Sequence, residues 1–361
     1  MNDPGLEQRI AEIHRRTVVI DGHCHLMKEL MAKRDMGERA LFRDYYCPLF
    51  RDVGIRAIML ITGGDNNSMI KGSDLMLWGT FDVIDYFNQE LEECGDVIAL
   101  CRSRLEIDEA LQAGKLVVLF GIEGGRPLEG RPMYDSLSIL RILYQLGVRS
   151  VQLTGNGRNR LADGIAEAGT NGGLTSFGTA VVKEMKKLKM LLDISHLAPA
   201  GVNDVLRLFD GPIVASHSNA RAVCDHPRNL PDELIKEIAQ RGGVVGLSLF
   251  STLINKDNNL ADVKDLIDHI DHICGLVGPD HVGLGPDFSE FSIQISQWTG
   301  NRGNMEGVQY GNKESYFHPD LKGWKQFPNI TCELLTRGYP EKAIEKVLGG
   351  NFLRLYRQVL Q

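Results

Sequence analysis

The chain has 361 residues, which fits one (β/α)8 barrel with insertions or two smaller domains, and is long enough to bury a full core. Hydrophobic residues make up 43% and charged residues 24%, values that exclude a disordered chain. Lys and Arg number 40 against 47 Asp and Glu, so the net charge is −7 and there is no basic footprint for nucleic acid or an anionic membrane surface. No apolar run approaches the roughly 20 residues of a membrane helix, and the polar stretch 1–16 lacks a signal-peptide core. The cysteines are odd in number, scattered and without a CxxC pair, which reads as reduced thiols in a cytoplasmic protein.

In chain order, a helix is expected over 5–15, followed by a strand pattern that recurs eight times. The apolar, β-branched runs are Val18–Asp21, Ile55–Thr62, Leu116–Ile122, Val148–Thr154, Met190–Ile194, Pro212–Ala215, Gly243–Phe250 and His281–Gly285. Near-continuous apolar runs are what parallel strands covered on both faces look like. Amphipathic stretches separate them: Asp74–Glu93, Ser136–Leu146 with Gly147 as its stop, a helix opening at Pro231-Asp232-Glu233, and Ala261–Leu276. Pro340–Leu348 falls in a C-terminal helical region, 328–360, expected to pack on the barrel. Strands alternating with helices give an α/β fold, a single (β/α)8 TIM-type barrel over 1–361. Phe288–Trp324 is polar and rich in Gly and Asn, a long loop after the eighth strand that would hang over the carboxyl face.

The residues most able to do chemistry stand at the ends of these runs. The first ends in Asp21-Gly22-His23-Cys24-His25, the third in Glu123-Gly124-Gly125, the fifth in Asp193-Ile194-Ser195-His196. The sixth ends in Ser216-His217-Ser218 and the eighth in Gly285-Pro286-Asp287. In a barrel these ends converge on one mouth, where active sites sit. His23 and His25 share a strand face and can bind one ion, with Cys24 turned away as a buried thiol. Glu123 has two oxygens and can bridge to a second ion held by His196 and His217. Nitrogen and carboxylate donors in this mixture suit Zn²⁺, and two ions roughly 3.5–4 Å apart clamp a hydroxide. Asp287 would then serve as general base. A lone strand histidine is more often a core or surface residue, and His-x-His alone is a weak signal. Ligand-type residues at five strand ends together favour the metal site. His14, His269, His272 and His281 are read as structural, the second and third on a charged helix face.

At these residues the chain resembles the renal-type (membrane) dipeptidase family of the amidohydrolase superfamily. The matching segments include Asp21-Gly22-His23, Ile122-Glu123-Gly124-Gly125, Leu192-Asp193-Ile194-Ser195-His196 and Ser216-His217-Ser218. They continue through Pro227-Arg228-Asn229-Leu230-Pro231-Asp232, Val282–Phe288 and Gly349–Arg354. The resemblance implies a di-zinc barrel hydrolase acting on dipeptides. His23 and His25 would bind one zinc, Glu123 would bridge, His196 and His217 would bind the second, and Arg228 would pair with the substrate's terminal carboxylate. A homodimer is implied by analogy. The sequence departs from the family pattern twice. His25 stands where the family has Asp. Gly155 stands where it has a histidine that steadies the oxyanion, so either Asn156, Arg158 or Arg160 of the same loop supplies that donor, the favoured reading because Gly155 and Gly157 let the loop bend inward, or a metal ion alone polarises the oxygen. The other readings are a different amidohydrolase, an amidase or lactonase, or a weakened metal-binding homologue. No lysine ends the run at Thr154 to carry the carbamate bridge common in lactonases.

Overall fold

All eight runs become strands, and one more appears. The computed structural model describes residues 4–65, 76–129, 136–255, 261–288 and 317–361. The strands are β1 (Val19–Cys24), β2 (Ile55–Gly64), β3 (Ile98–Leu100), β4 (Leu116–Glu123), β5 (Val148–Gln152), β6 (Leu191–Asp193), β7 (Ile213–Ala215), β8 (Val244–Leu247) and β9 (Val282–Leu284). Nearly every strand residue is buried, as strands covered on both faces require. Every pairing is parallel and the order is β1-β2-β4-β5-β6-β7-β8-β9. At the mouth the two ends of this path meet, where the Asp287 amide donates to the His23 carbonyl at 3.3 Å. The result is a (β/α)8 barrel.

The unexpected strand, β3, has a plain geometric cause. β5 pairs with β4 only from Phe120 onward, which leaves the start of β4 with an open edge. Ile98–Leu100 covers it, with Ile98 opposite Leu116 and Leu100 opposite Val118. Three residues are too few for a hydrophobic period to reveal.

Before and between the strands the expected helices form: Pro4–Arg16, Met76–Cys94, Ser138–Gln145, Asp232–Gln240 and Val263–Val277. Gly147 takes φ 113°, a conformation open to glycine, just past the third of these. The last begins two residues later than its apolar pattern, because Asp262 caps it and exchanges hydrogen bonds with Asp265. Among the described residues no helix is long and apolar enough to cross a membrane. Of the long loop, residues 289–316 lie outside the described residues. Its two flanks meet: the Phe288 ring lies 5.3 Å from Phe317 and 5.6 Å from Trp324.

The C-terminal segment closes the floor. Helix Phe327–Thr336 is followed by Glu341–Glu345, a wider turn over Lys346–Gly350, and helix Asn351–Val359. From the last helix the Phe352 ring enters the barrel between β1, β8 and β9. Each of these strands carries a glycine there: a Cβ on Gly22, Gly246 or Gly283 would lie 2.6, 3.0 or 2.5 Å from that ring. Phe352 and Tyr356 join Ile20, Val117, Leu119, Val214 and Val244 in an inner core. With the bottom filled, the polar strand ends are left to line the mouth.

Candidate metal centre

Two residues at the mouth hold backbones that side chains rarely adopt. His196 has φ 68° and Asp287 has φ 58°. Such strain persists where surrounding contacts over-determine it and gathers at functional sites. The Asp193 carboxylate accepts from the amides of Ser195 (3.0 Å) and Ser216 (3.1 Å), tying the ends of β6 and β7 together. Asp21 does the same for the amide of His23 (2.9 Å), and its other oxygen accepts from Trp324 Nε1 (2.7 Å). Burial pushes the Asp21 carboxyl up to about 6 despite these donors.

The strand ends bring His23, His25, Glu123, His196, His217 and Asp287 into one cluster. Glu123 is central. Its Oε2 faces His25 Nε2 at 3.4 Å, while its Oε1 faces Nε2 of His196 at 3.1 Å, His217 at 3.6 Å and His23 at 3.8 Å. Three groups have their ligand atoms within 4.8 Å of one another: His23–His25–Glu123 and Glu123–His196–His217, which share Glu123, and His23–Asp193–His217 beneath them, whose carboxylate is already engaged by the Ser195 and Ser216 amides. Asp287 Oδ1 stands 3.1 Å from His25 Nε2.

The other ring nitrogens decide which atoms are free to ligate. His196 Nδ1 lies 2.7 Å from Asn156 Oδ1, an acceptor only, so Nδ1 carries the proton. Ser216 Oγ lies 2.9 Å from His217 Nδ1 and 3.1 Å from His23 Nδ1, and one hydroxyl oxygen can accept from both. Nε2 is thereby left as a lone pair on His23, His196 and His217. The His196 and His217 lone pairs face each other at 2.8 Å, and His23 Nε2 lies 3.1 Å from His25 Nε2. Facing lone pairs repel unless a cation lies among them, so the donor set fits divalent metal of the zinc type.

Electrostatics point the same way. Burial drops His23 to about 3 and holds His196 and His217 below the usual imidazole range. Burial alone would raise Glu123, but the imidazoles of His196, His25 and His23 around it outweigh burial and keep the carboxyl well below its ordinary value. Neutral imidazoles around an ionised carboxylate are the protonation states that metal ligation needs.

Arg228 also reaches the cluster. Its side chain is buried, and Nη2 lies 2.9 Å from His196 Nε2 and 3.4 Å from the His217 carbonyl. The loop after β5 behaves differently from expectation. Asn156 spends its side-chain oxygen on His196. Arg158 turns to Asp163 at 2.5 Å with its side chain half exposed, and the Arg160 guanidinium lies 6.0 Å from the centre of the Phe177 ring. Arg158 is drawn from the cluster by the loop's own acidic residue, and Arg160 extends toward Phe177.

Asp65 was not read from the sequence. It follows Gly63-Gly64 at the end of β2, a strand-end position like the others, but its Gly- and Asn-rich surroundings read as ordinary loop. Its buried carboxylate accepts from the amides of Gly155 and Arg126, both at 2.8 Å, and from Asn159 Nδ2 at 3.1 Å. A Cβ on Gly155 would lie 3.0 Å from Asp65 Cβ, so Asp65 occupies the room a histidine at 155 would need. Lys28 was missed too; burial lowers its ammonium, which feels Glu123 and Asp287. His269 is structural as expected, but it does not lie on a charged helix face. It is fully buried, bonded to the Ala220 amide (3.1 Å) and the Ile254 carbonyl (2.9 Å), because its helix face turns inward.

An eight-strand parallel barrel with imidazole and carboxylate donors gathered at its carboxyl mouth defines an amidohydrolase-type barrel. Within that class the chain belongs to the membrane dipeptidase family, Peptidase family M19, whose pattern matches residues 7–299 and 311–361. It is 31% identical to dipeptidase tcpJ of Claviceps purpurea over 78% of this chain and 60% of that protein. With dipeptidase 3 of Mus musculus it shares 29% identity over 100% of this chain and 68% of the relative. The chain thus spans about three-fifths to two-thirds of the length of these relatives. Among solved structures it is similar to an amidohydrolase from Pseudomonas aeruginosa, at 27% identity and a TM-score of 0.75, covering 97% of this chain and 99% of the other.

Proposed function

We propose that this protein is a metallo-dipeptidase that hydrolyses the peptide bond of dipeptides at two zinc ions sharing Glu123. The observation that carries this reading is the pair of triads meeting at one carboxylate, with Oε2 toward His25 and Oε1 toward His196 and His217. Ions bound there supply charge to polarise the scissile carbonyl and to activate water at neutral pH. The chain's own residues do the rest. Asn156 and Ser216 fix the imidazoles so that Nε2 points inward. Asp287 Oδ1, facing the same space, takes the proton of the attacking water and returns it to the leaving amine. Arg228 offers a guanidinium to the substrate's terminal carboxylate beside the cluster, a charge-assisted pairing that fixes which bond is presented.

A panel of free and C-terminally amidated dipeptides, assayed with added Zn²⁺, tests this. Free dipeptides should be cleaved and amidated ones poorly. Arg228→Ala should cost on the order of 2–4 kcal/mol in kcat/KM on free dipeptides, and little on amidated ones. Equal cleavage of free and amidated substrates by wild type would remove Arg228 from the assignment. Cleavage of lactones or simple amides alone would favour another amidohydrolase activity.

A further inference from the structure

Lys28 brings a cation to the mouth from the side opposite Arg228. It stands in the first turn of helix Met27–Asp35, which starts as soon as β1 has delivered its histidines: the Lys28 amide donates to the His25 carbonyl at 3.3 Å. The charges that act on its ammonium are Glu123 and Asp287, the carboxylates that flank His25 Nε2 at 3.4 and 3.1 Å. Arg228 lies instead against His196 and the His217 carbonyl, at the ends of β6 and β7. In the strand order β1 and β6 are four steps apart around a barrel of eight, so they face each other across the mouth. The metal-ligand cluster lies between the two cations. Lys28 is partly buried, and its side chain has no hydrogen-bond or ion-pair partner among the described residues. Glu123 turns both oxygens to imidazoles and Asp287 turns Oδ1 to His25, so neither carboxylate fills that role. An ammonium withdrawn from water without an acceptor is costly, and a molecule that enters the mouth can bring one. A dipeptide that sets its terminal carboxylate on Arg228 extends its N-terminal residue across the cluster toward β1. Its amino group is positively charged and gains nothing from Lys28. Its side chain can meet the ammonium, and a carboxylate at the end of that side chain favours the charged form of Lys28, which burial opposes.

We propose that Lys28 determines specificity by pairing with the side-chain carboxylate of an acidic N-terminal residue, so that the protein prefers dipeptides beginning with glutamate or aspartate. This rests on the dipeptidase reading above, and the experiment separates the two. Glu-Ala and Gln-Ala differ by one charge at nearly equal size. With Zn²⁺-loaded protein near neutral pH, kcat/KM for Glu-Ala should exceed that for Gln-Ala by about 10–100-fold, the range of one charge-assisted pairing. Lys28→Met, or independently Lys28→Gln, should bring that ratio to within about threefold of one. Thermal melts and metal content establish which variants are folded and loaded, and one such variant suffices. Calorimetric binding of free glutamate and free glutamine to the Zn²⁺-loaded protein gives a readout without turnover. Both bring the same amino and carboxylate groups to the metal, so a tighter grip on glutamate, by about tenfold or more and lost in the variants, isolates the side-chain pairing. That glutamate preference with no dipeptide cleaved would sink the dipeptidase reading and keep the assignment of Lys28. Cleavage of both dipeptides with a wild-type ratio near one would overturn the assignment of Lys28 and keep the dipeptidase reading. A preference for Glu-Ala that survives in both variants would likewise overturn it, because the carboxylate would then be held by another group.

Discussion

Asn156 separates two accounts of the loop after β5. As a donor to the reacting oxygen, its loss would lower kcat by at least about tenfold with metal content unchanged. The structure instead puts its oxygen on His196 Nδ1, where it sets the tautomer and aims Nε2. Asn156→Ala should therefore weaken retention of the metal proposed to bind His196 by about 10–100-fold in competition against a chelator, while kcat at saturating Zn²⁺ falls less than tenfold. An unchanged metal affinity with a collapsed kcat would restore the first account. The sequence carried the residue types well. His23, His25, Glu123, His196, His217, Asp287 and Arg228 all reach one mouth, because strand ends in a parallel barrel leave no other destination. What it could not carry was direction. Arg158 and Asn156 lie two residues apart in one irregular loop, and only tertiary packing decides that one faces Asp163 and the other His196. Asp65 escaped because its role depends on what Gly155 lacks, a relation across 90 residues.

At the scale of elements, the helix Asn351–Val359 has the most consequential position. Its Phe352 ring fills space kept open by Gly22, Gly246 and Gly283 on three strands. Phe352→Ala should destabilise the protein by about 3–5 kcal/mol in urea unfolding, since the surrounding strands cannot collapse into the void. Metal content of the folded fraction should stay the same, because the ring lies on the floor and the ligands at the rim. A loss under 1 kcal/mol would mean that the barrel floor is closed by something else. The strands and most helices were legible through apolar runs and caps. The C-terminal stretch was less so, since Pro340–Leu348 reads as one helix while the chain widens its turn at Lys346–Gly350 and starts another. That turn is set by close packing of Gly349 against the Val18 carbonyl and Ile20 rather than by local preference.

For the whole molecule, the barrel converts five separated sequence signals into one centre, and two ions bridged by Glu123 are the claim on which the rest depends. Metal-free protein titrated with Zn²⁺, with bound metal and dipeptide hydrolysis followed together, tests it most directly. Activity should rise to a plateau at two ions per chain, and Glu123→Ala should retain neither ion and hydrolyse nothing, because the bridge is common to both. A plateau at one ion per chain, or a Glu123→Ala variant that keeps both ions, would contradict the account.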